Sequence, residues 1–248
     1  MRDQRKRYAL GYALEFAAFC LISALITLIL MIPILSFSLP DRSERVEEVA
    51  KGLTVVIDAG HGGEDGGAIG HGLVEKDLNL EIALHLAELL EEKGISVVLT
   101  RDSDTLLYDK NDNYQGRKKA LDLRRRLEIT QSIENAVFVS IHMNYFAKEQ
   151  YSGLQVYYSK QDPRSRTLAA IIQTRTKEEL QPNNKRTVKE ATSSIFLLDN
   201  LSCPAVLIEC GFLSNAEEAR ALSNVEYREK LTDIIFKSIV DYILQNGS

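Results

Sequence analysis

From Leu53 to the C-terminus the chain alternates between two hydrophobic patterns. Short continuous apolar runs rich in Val and Ile (TVVI, ISVVL, AVFVSI, PAVLI) predict strands over residues 53–58, 95–100, 136–141 and 204–208, with another at 154–158. Runs of this kind suit strands buried on both faces. Between them the period lengthens to that of a helix. Leu78, Ile82, Leu86 and Leu89 share one face of a helix predicted over 75–93, with Glu75 and Asp77 in the first turn, where the helix dipole favours acid, and Gly94 at its end. Leu231, Ile234, Ile235, Ile239 and Tyr242 form the stripe of a last helix near 227–245, and two more helices are expected around 121–132 and 164–180. Strands alternating with helices predict an α/β fold, a single domain with a twisted, largely parallel sheet flanked by helices on both faces.

A different pattern precedes this domain. MRDQRKR is followed from Tyr8 to Leu39 by an almost wholly apolar run broken only by Glu15. A helix needs about 20 apolar residues to cross a bilayer, whereas the apolar part of a cleavable signal peptide has roughly 7 to 15. The run therefore predicts one N-terminal transmembrane helix serving as a membrane anchor, with a cleaved signal peptide as the alternative, cut near Ser36-Phe37-Ser38. Arg2, Arg5, Lys6 and Arg7 precede the span, so the positive-inside rule leaves the rest of the chain extracytoplasmic. Residues 1–39 are then a cytoplasmic basic end and anchor, 40–51 (PDRSERVEEVAK) a charged linker, and 52–248 the folded domain.

Composition adds exclusions. The 248 residues, 45% hydrophobic and 26% charged, suffice for one buried core, and a net charge of -5 argues against nucleic acid as a partner. The local cluster Arg124, Arg125, Arg126 reads as a solvated helix face. Residues 102–116 (DSDTLLYDKNDNYQG) are polar and turn-rich and read as a surface loop, and Cys20 as a membrane-buried residue. Cys203 and Cys210 flank PAVLIE, and a strand of about seven residues separates their Cα atoms by roughly 23 Å, too far for a disulfide.

The candidate chemistry begins in TVVIDAGHGGEDGG, residues 54–67. A dinucleotide loop needs G-x-G-x-x-G leading straight into a helix. Here Gly60 and Gly62 are followed by Asp65, helix resumes only near Glu75, and Glu64 and Asp65 would repel phosphate. A metal site instead needs histidines and a carboxylate converging from separate elements, with one position open for water. His61 follows the first strand, His142 ends AVFVSIH, Glu75 begins the first long helix and Glu209 directly follows PAVLI. All four thus reach the carboxyl edge of the sheet, where open parallel sheets place their sites. A buried carboxylate such as Glu209 is costly unless paired or bound to a metal. His71 is a rival ligand assigned instead to the loop, His85 reads as structural, and strand alternation points Cys210 away from Glu209 and so away from a nucleophilic role. Two histidines and a carboxylate also describe non-haem iron oxygenases, and Glu75 with Glu209 could be a glycosidase pair.

The motifs DAGHGGEDGGAIG, LVEKDLNL, TRDSD, SIHMN and PAVLIECGFLSN, in this order, resemble the zinc-dependent N-acetylmuramoyl-L-alanine amidases of the amidase-3 family, from about Leu53 to the C-terminus. The resemblance implies one zinc ion (Zn2+) per chain, with His61, Glu75 and His142 as ligands, Glu209 as catalytic carboxylate and Asn144 as a substrate-binding position. It also implies a peptidoglycan glycan strand with its stem peptide as substrate and an activating protein as a candidate partner. The short anchored chain and YQGRKKALDLRRRLE are similar to the germination-specific amidases of endospore formers. Those strip peptides from muramic acid in spore-cortex peptidoglycan, the first step toward muramic-δ-lactam. A vegetative cell-wall amidase and a non-catalytic peptidoglycan-binding module are the alternatives. One departure stands in KRTVK, where Arg186-Thr187 replaces the Arg-Gly pair of many family members.

Overall fold

Strands apolar on both faces must pair with one another and be covered on both sides, and the sequence provides for both. The computed structural model describes residues 11–12, 14–28, 42–108 and 116–246. After a helical segment within residues 11–28, the elements are α1 (Arg42–Val49), β1 (Thr54–Ala59), β2 (Ile69–Gly70), β3 (Leu73–Val74), α2 (Glu75–Glu91), β4 (Ser96–Leu99), α3 (Lys118–Gln131), β5 (Ala136–Asn144), β6 (Gln155–Tyr158), α4 (Arg164–Glu179), β7 (Lys189–Glu190), α5 (Phe196–Asn200), β8 (Ala205–Phe212), α6 (Ala216–Ser223) and α7 (Val225–Asn246). One sheet has the order β4-β1-β5-β8-β6-β7. Its first four strands are mutually parallel, β6 runs antiparallel to β8, and β7 is parallel to β6.

Alternation along each strand sorts the side chains into two layers. Val55 and Ile57 of β1, Val139 and Ile141 of β5, and Val206 and Ile208 of β8 pack with Leu78, Ile82 and Leu86 of α2, Leu168 and Ile172 of α4, and Leu231, Ile235 and Ile239 of α7. The alternate positions, Val56, Phe138 and Ala205, meet Leu197 and Leu198 of α5, with Leu123 and Leu127 of α3 packed alongside. Each Leu or Ile fully withdrawn from water contributes about 1.5–3 kcal/mol. The parity has a second consequence. Asp58, Ser140, His142, Leu207 and Glu209 continue the α3/α5 side toward the carboxyl ends of the strands, where they line one cleft.

Several elements depart from the expectations. The segment expected as a linker is helical, and Val46 and Ala50 are buried against the core, so chain contacts place the start of the folded unit at Val46. Strands β5 and β8 run on to Asn144 and Phe212, so His142 and Glu209 lie within strands rather than after them. The transmembrane span is not found, since no helix among the described residues is long and apolar enough to cross a membrane. The continuous described helix over residues 14–28 is about 22 Å long at 1.5 Å per residue, against a hydrocarbon core of about 30 Å. The remainder of the expected anchor, residues 29–39, lies outside the described residues, as do the basic end and residues 109–115 of the expected surface loop. Cys203 and Cys210 are free thiols, and Cys210 faces the core that lies against α2, α4 and α7.

Candidate metal centre

The four polar groups predicted at the sheet edge meet there. His142 and Glu209 are register partners in adjacent parallel strands, so their side chains leave the same face side by side. His61 arrives from the turn after β1, and Glu75 is the first residue of α2. Glu75 Oε1 lies 2.9 Å from His142 Nδ1 and 3.2 Å from His61 Nε2. One ligand atom from each of the three falls within 4.8 Å of the others. Glu75 is itself fixed by backbone amides, accepting at Oε2 from Ala68 (2.7 Å) and at Oε1 from Met143 (3.0 Å). One turn along α2, Asn79 Nδ2 donates to the Gly60 carbonyl at 3.0 Å and ties the histidine loop to the same helix.

The glycines of that loop have specific work. A Cβ on Gly60 would lie 2.3 Å from Cε1 and Nε2 of His142, and one on Gly67, at φ +68, would lie 2.5 Å from Glu75 Oε2. His61 itself sits at φ 62, a left-handed conformation that non-glycine residues rarely adopt. Gly60→Ala should therefore push the His142 ring away and weaken zinc binding by at least about tenfold, the scale of a lost supporting contact. Zinc titration of the purified variant, alongside its melting temperature, checks this.

Arg126 secures the loop from beneath. It is 1% exposed, its Nη1 donating to Asp58 Oδ1 (2.6 Å), its Nε to Asp122 Oδ2 (2.8 Å) and its Nη2 to the His61 carbonyl (2.7 Å). Arg124 and Arg125 are exposed as expected of a solvated face, but Arg126 is not part of it: Asp58 and Asp122 neutralise it where α3 packs on the sheet. Asp58 also accepts from Thr100 Oγ1 (2.7 Å) and Ser140 Oγ (2.6 Å). Burial alone would raise its carboxyl, but the Arg126 charge and the bonds from Ser140 and Arg126 outweigh that and hold it below the usual range. A depressed carboxyl contributes stability above its unfolded pKa, about 3.9, and loses that contribution as pH falls through the folded value. Arg126→Met strands a buried carboxylate and should cost about 3–5 kcal/mol in urea unfolding at pH 7. The loss should shrink as Asp58 protonates below about pH 4.

The charge pattern at the edge suits a cation. Burial favours a neutral Glu75, yet hydrogen bonds and charge from His142 and His61 prevail and hold it well below the usual carboxylate range. Burial pushes His61 down, while Glu75 and then Asp65 raise it by more. Glu209 differs: burial, only partly offset by His142 and His61, pushes it up to about 7, and its Oε2 is buried without a hydrogen-bond partner. An acceptor-only oxygen left without a donor beside three converging ligand atoms fits a site built for a metal ion and a water, and two imidazoles with one carboxylate are a zinc donor set. The cleft over it, about 250 Å³, has an apolar wall at Ile195 and Phe196 and a charged one at Lys119 and Asp122.

The other candidates fall elsewhere. His71 is exposed at the turn between β2 and β3, and His85 is half-buried in α2; neither joins the three converging residues. Burial pushes the Cys210 thiol far above its ordinary value, on the opposite face from Glu209. Asn144 stands beyond a register shift in β5, with its carbonyl accepting from Leu213 N at 2.8 Å, and it does not line the cleft. Sequence reasoning missed Asp58, Arg126 and Asp65. An acid ending a wholly apolar strand, and Asp122 four residues before Arg126 on one helix, were the signals for the first two.

The fold and this constellation define a metal-centred hydrolase of the α/β class. Residues 55–241 match the family described as N-acetylmuramoyl-L-alanine amidase, and the chain belongs to that family. Over 198 residues it is 37% identical to the germination-specific N-acetylmuramoyl-L-alanine amidase of Bacillus subtilis (strain 168), covering 79% of this chain and 82% of that one. Among solved structures, the CwlD amidase from Clostridioides difficile in complex with the GerS lipoprotein matches with a TM-score of 0.73 and 40% identity, covering 77% of this chain and 98% of that one. The catalytic domain of CwlV, an N-acetylmuramoyl-L-alanine amidase from Bacillus (Paenibacillus) polymyxa var. colistinus, matches with a TM-score of 0.64 and 29% identity, covering 77% of this chain and 97% of that one. The protein is an enzyme of this amidase class.

Proposed function

We propose that the protein hydrolyses the amide between the lactyl carbonyl of N-acetylmuramic acid and L-alanine in peptidoglycan, with one zinc ion held by His61, Glu75 and His142. The observation that carries this reading is the convergence of those three ligand atoms within 4.8 Å beside the unpartnered Oε2 of Glu209. Zinc supplies a Lewis acid that polarises an amide carbonyl and acidifies water. The chain's own residues do the rest. Glu75 brings one negative charge, and the two imidazoles bring neutral donors. Glu209 takes a proton from the attacking water at its unpartnered oxygen and passes it to the leaving amine of L-alanine. Ile195 and Phe196 exclude water from one side of the cleft, and Asn144 is assigned as a substrate contact near the strand ends.

We assign the enzyme to spore-cortex maturation, where it removes stem peptides on the way to muramic-δ-lactam, in support of germination. The similarity to the germination-specific amidase supports this assignment. The exported position, the anchor in residues 8–39 and an activating protein partner belong to the same proposal. The apolar N-terminal sequence supports the anchor, and the similarity to a CwlD amidase solved in complex with the GerS lipoprotein supports the partner. Comparing digestion of cortex-type and vegetative peptidoglycan tests the assignment: preference for cortex is expected, and equal or reversed preference points to the vegetative wall.

A further inference from the structure

We infer that Asp65 is the positioning residue of His61, holding the imidazole so that Nε2 is the atom presented to the metal. This rests on the reading of His61 as a ligand. His61 Nε2 faces Glu75 Oε1 at 3.2 Å, and its other nitrogen, Nδ1, is buried 3.0 Å from Asp65 Oδ2. That contact is short but off the axis of a hydrogen bond, and χ2 of a histidine is a soft torsion, so a small ring rotation aligns the two. A carboxylate at Nδ1 favours the tautomer with its proton there, leaves the Nε2 lone pair for a cation and makes it a stronger donor.

The surrounding chain brings this contact about. Gly62 and Asp65 exchange two backbone hydrogen bonds, 2.9 and 3.0 Å, closing a tight turn that returns Asp65 to the ring four residues before it. Asp65 Oδ1 accepts from the Gly67 amide at 3.3 Å, which leaves Oδ2 directed at the imidazole. From α3, Lys119 Nζ stands 3.2 Å from the same Oδ2 and favours its charged form. The acid that argues against phosphate in this loop thus has a use of its own.

The test measures zinc affinity of the full-length chain by competition with a chromophoric chelator. Asp65→Asn keeps an oxygen for the Gly67 amide and turns an N–H donor toward His61 Nδ1, which favours the wrong tautomer. It should bind zinc about 10- to 100-fold more weakly than the unmodified chain, with the melting temperature of the metal-free protein unchanged. Asp65→Ala should lose the exchange-protected Nδ1 proton signal that the zinc-loaded unmodified protein shows for His61. Wild-type affinity in Asp65→Asn overturns the inference, as does a loss matched by a lower metal-free melting temperature. Absence of zinc binding by the unmodified chain would instead defeat the ligand reading on which it rests.

Discussion

Glu209→Gln should slow peptidoglycan hydrolysis by a factor on the order of 10² to 10⁴ while leaving zinc bound and the fold intact. The amide has nearly the shape of the carboxyl but cannot accept a proton, so the variant separates proton transfer from packing. Glu209 shares a register pair with His142 without being one of the three converging ligands, so metal content should stay at one ion per chain. The side chain's burial makes the neutral amide easy to accommodate, and stability should hold or rise. Full activity in Glu209→Gln, or loss of zinc with loss of activity, would remove Glu209 from its assigned role.

Removal of the metal should have an effect at least as large. Polarisation of the carbonyl is worth several kcal/mol, so chelation should lower the rate by about 10³-fold or more, with recovery on adding zinc. His142→Ala should lose activity in the same way without recovery, because it removes a ligand and the ring that packs against Gly60. It also leaves Glu75 with one imidazole partner instead of two, and the metal-free variant should be less stable for that reason. Activity that survives both chelation and His142→Ala would speak for a metal-free mechanism.

Much of this arrangement was legible in the sequence. The strand-helix alternation, the two-sided burial of β1, β5 and β8, and the placement of His61, His142 and Glu209 at strand ends all follow from periodicity, because runs such as AVFVSIH fix both register and direction. Glu75 was legible for a different reason, as an acid in a first helical turn. Other features depend on tertiary contact and leave little local trace. Helix α1 is charged along most of its length and docks through Val46 and the neighbouring Ala50, too few apolar positions to mark a stripe. Arg126 looks like Arg124 and Arg125 until α3 is placed against Asp58. Asp65 is one of two adjacent acids in a glycine-rich loop, and only the fold distinguishes the one beside the imidazole. Strands β5 and β8 run past their apolar residues because the site itself, His142 beside Glu209, is built into the pairing.

The most direct measurement digests purified peptidoglycan with the zinc-loaded protein and determines the released ends by mass analysis. Free N-termini on L-alanine, with intact glycan and no product from Glu209→Gln, are the predicted result; new reducing sugar ends, or cleavage that persists in Glu209→Gln, would contradict it.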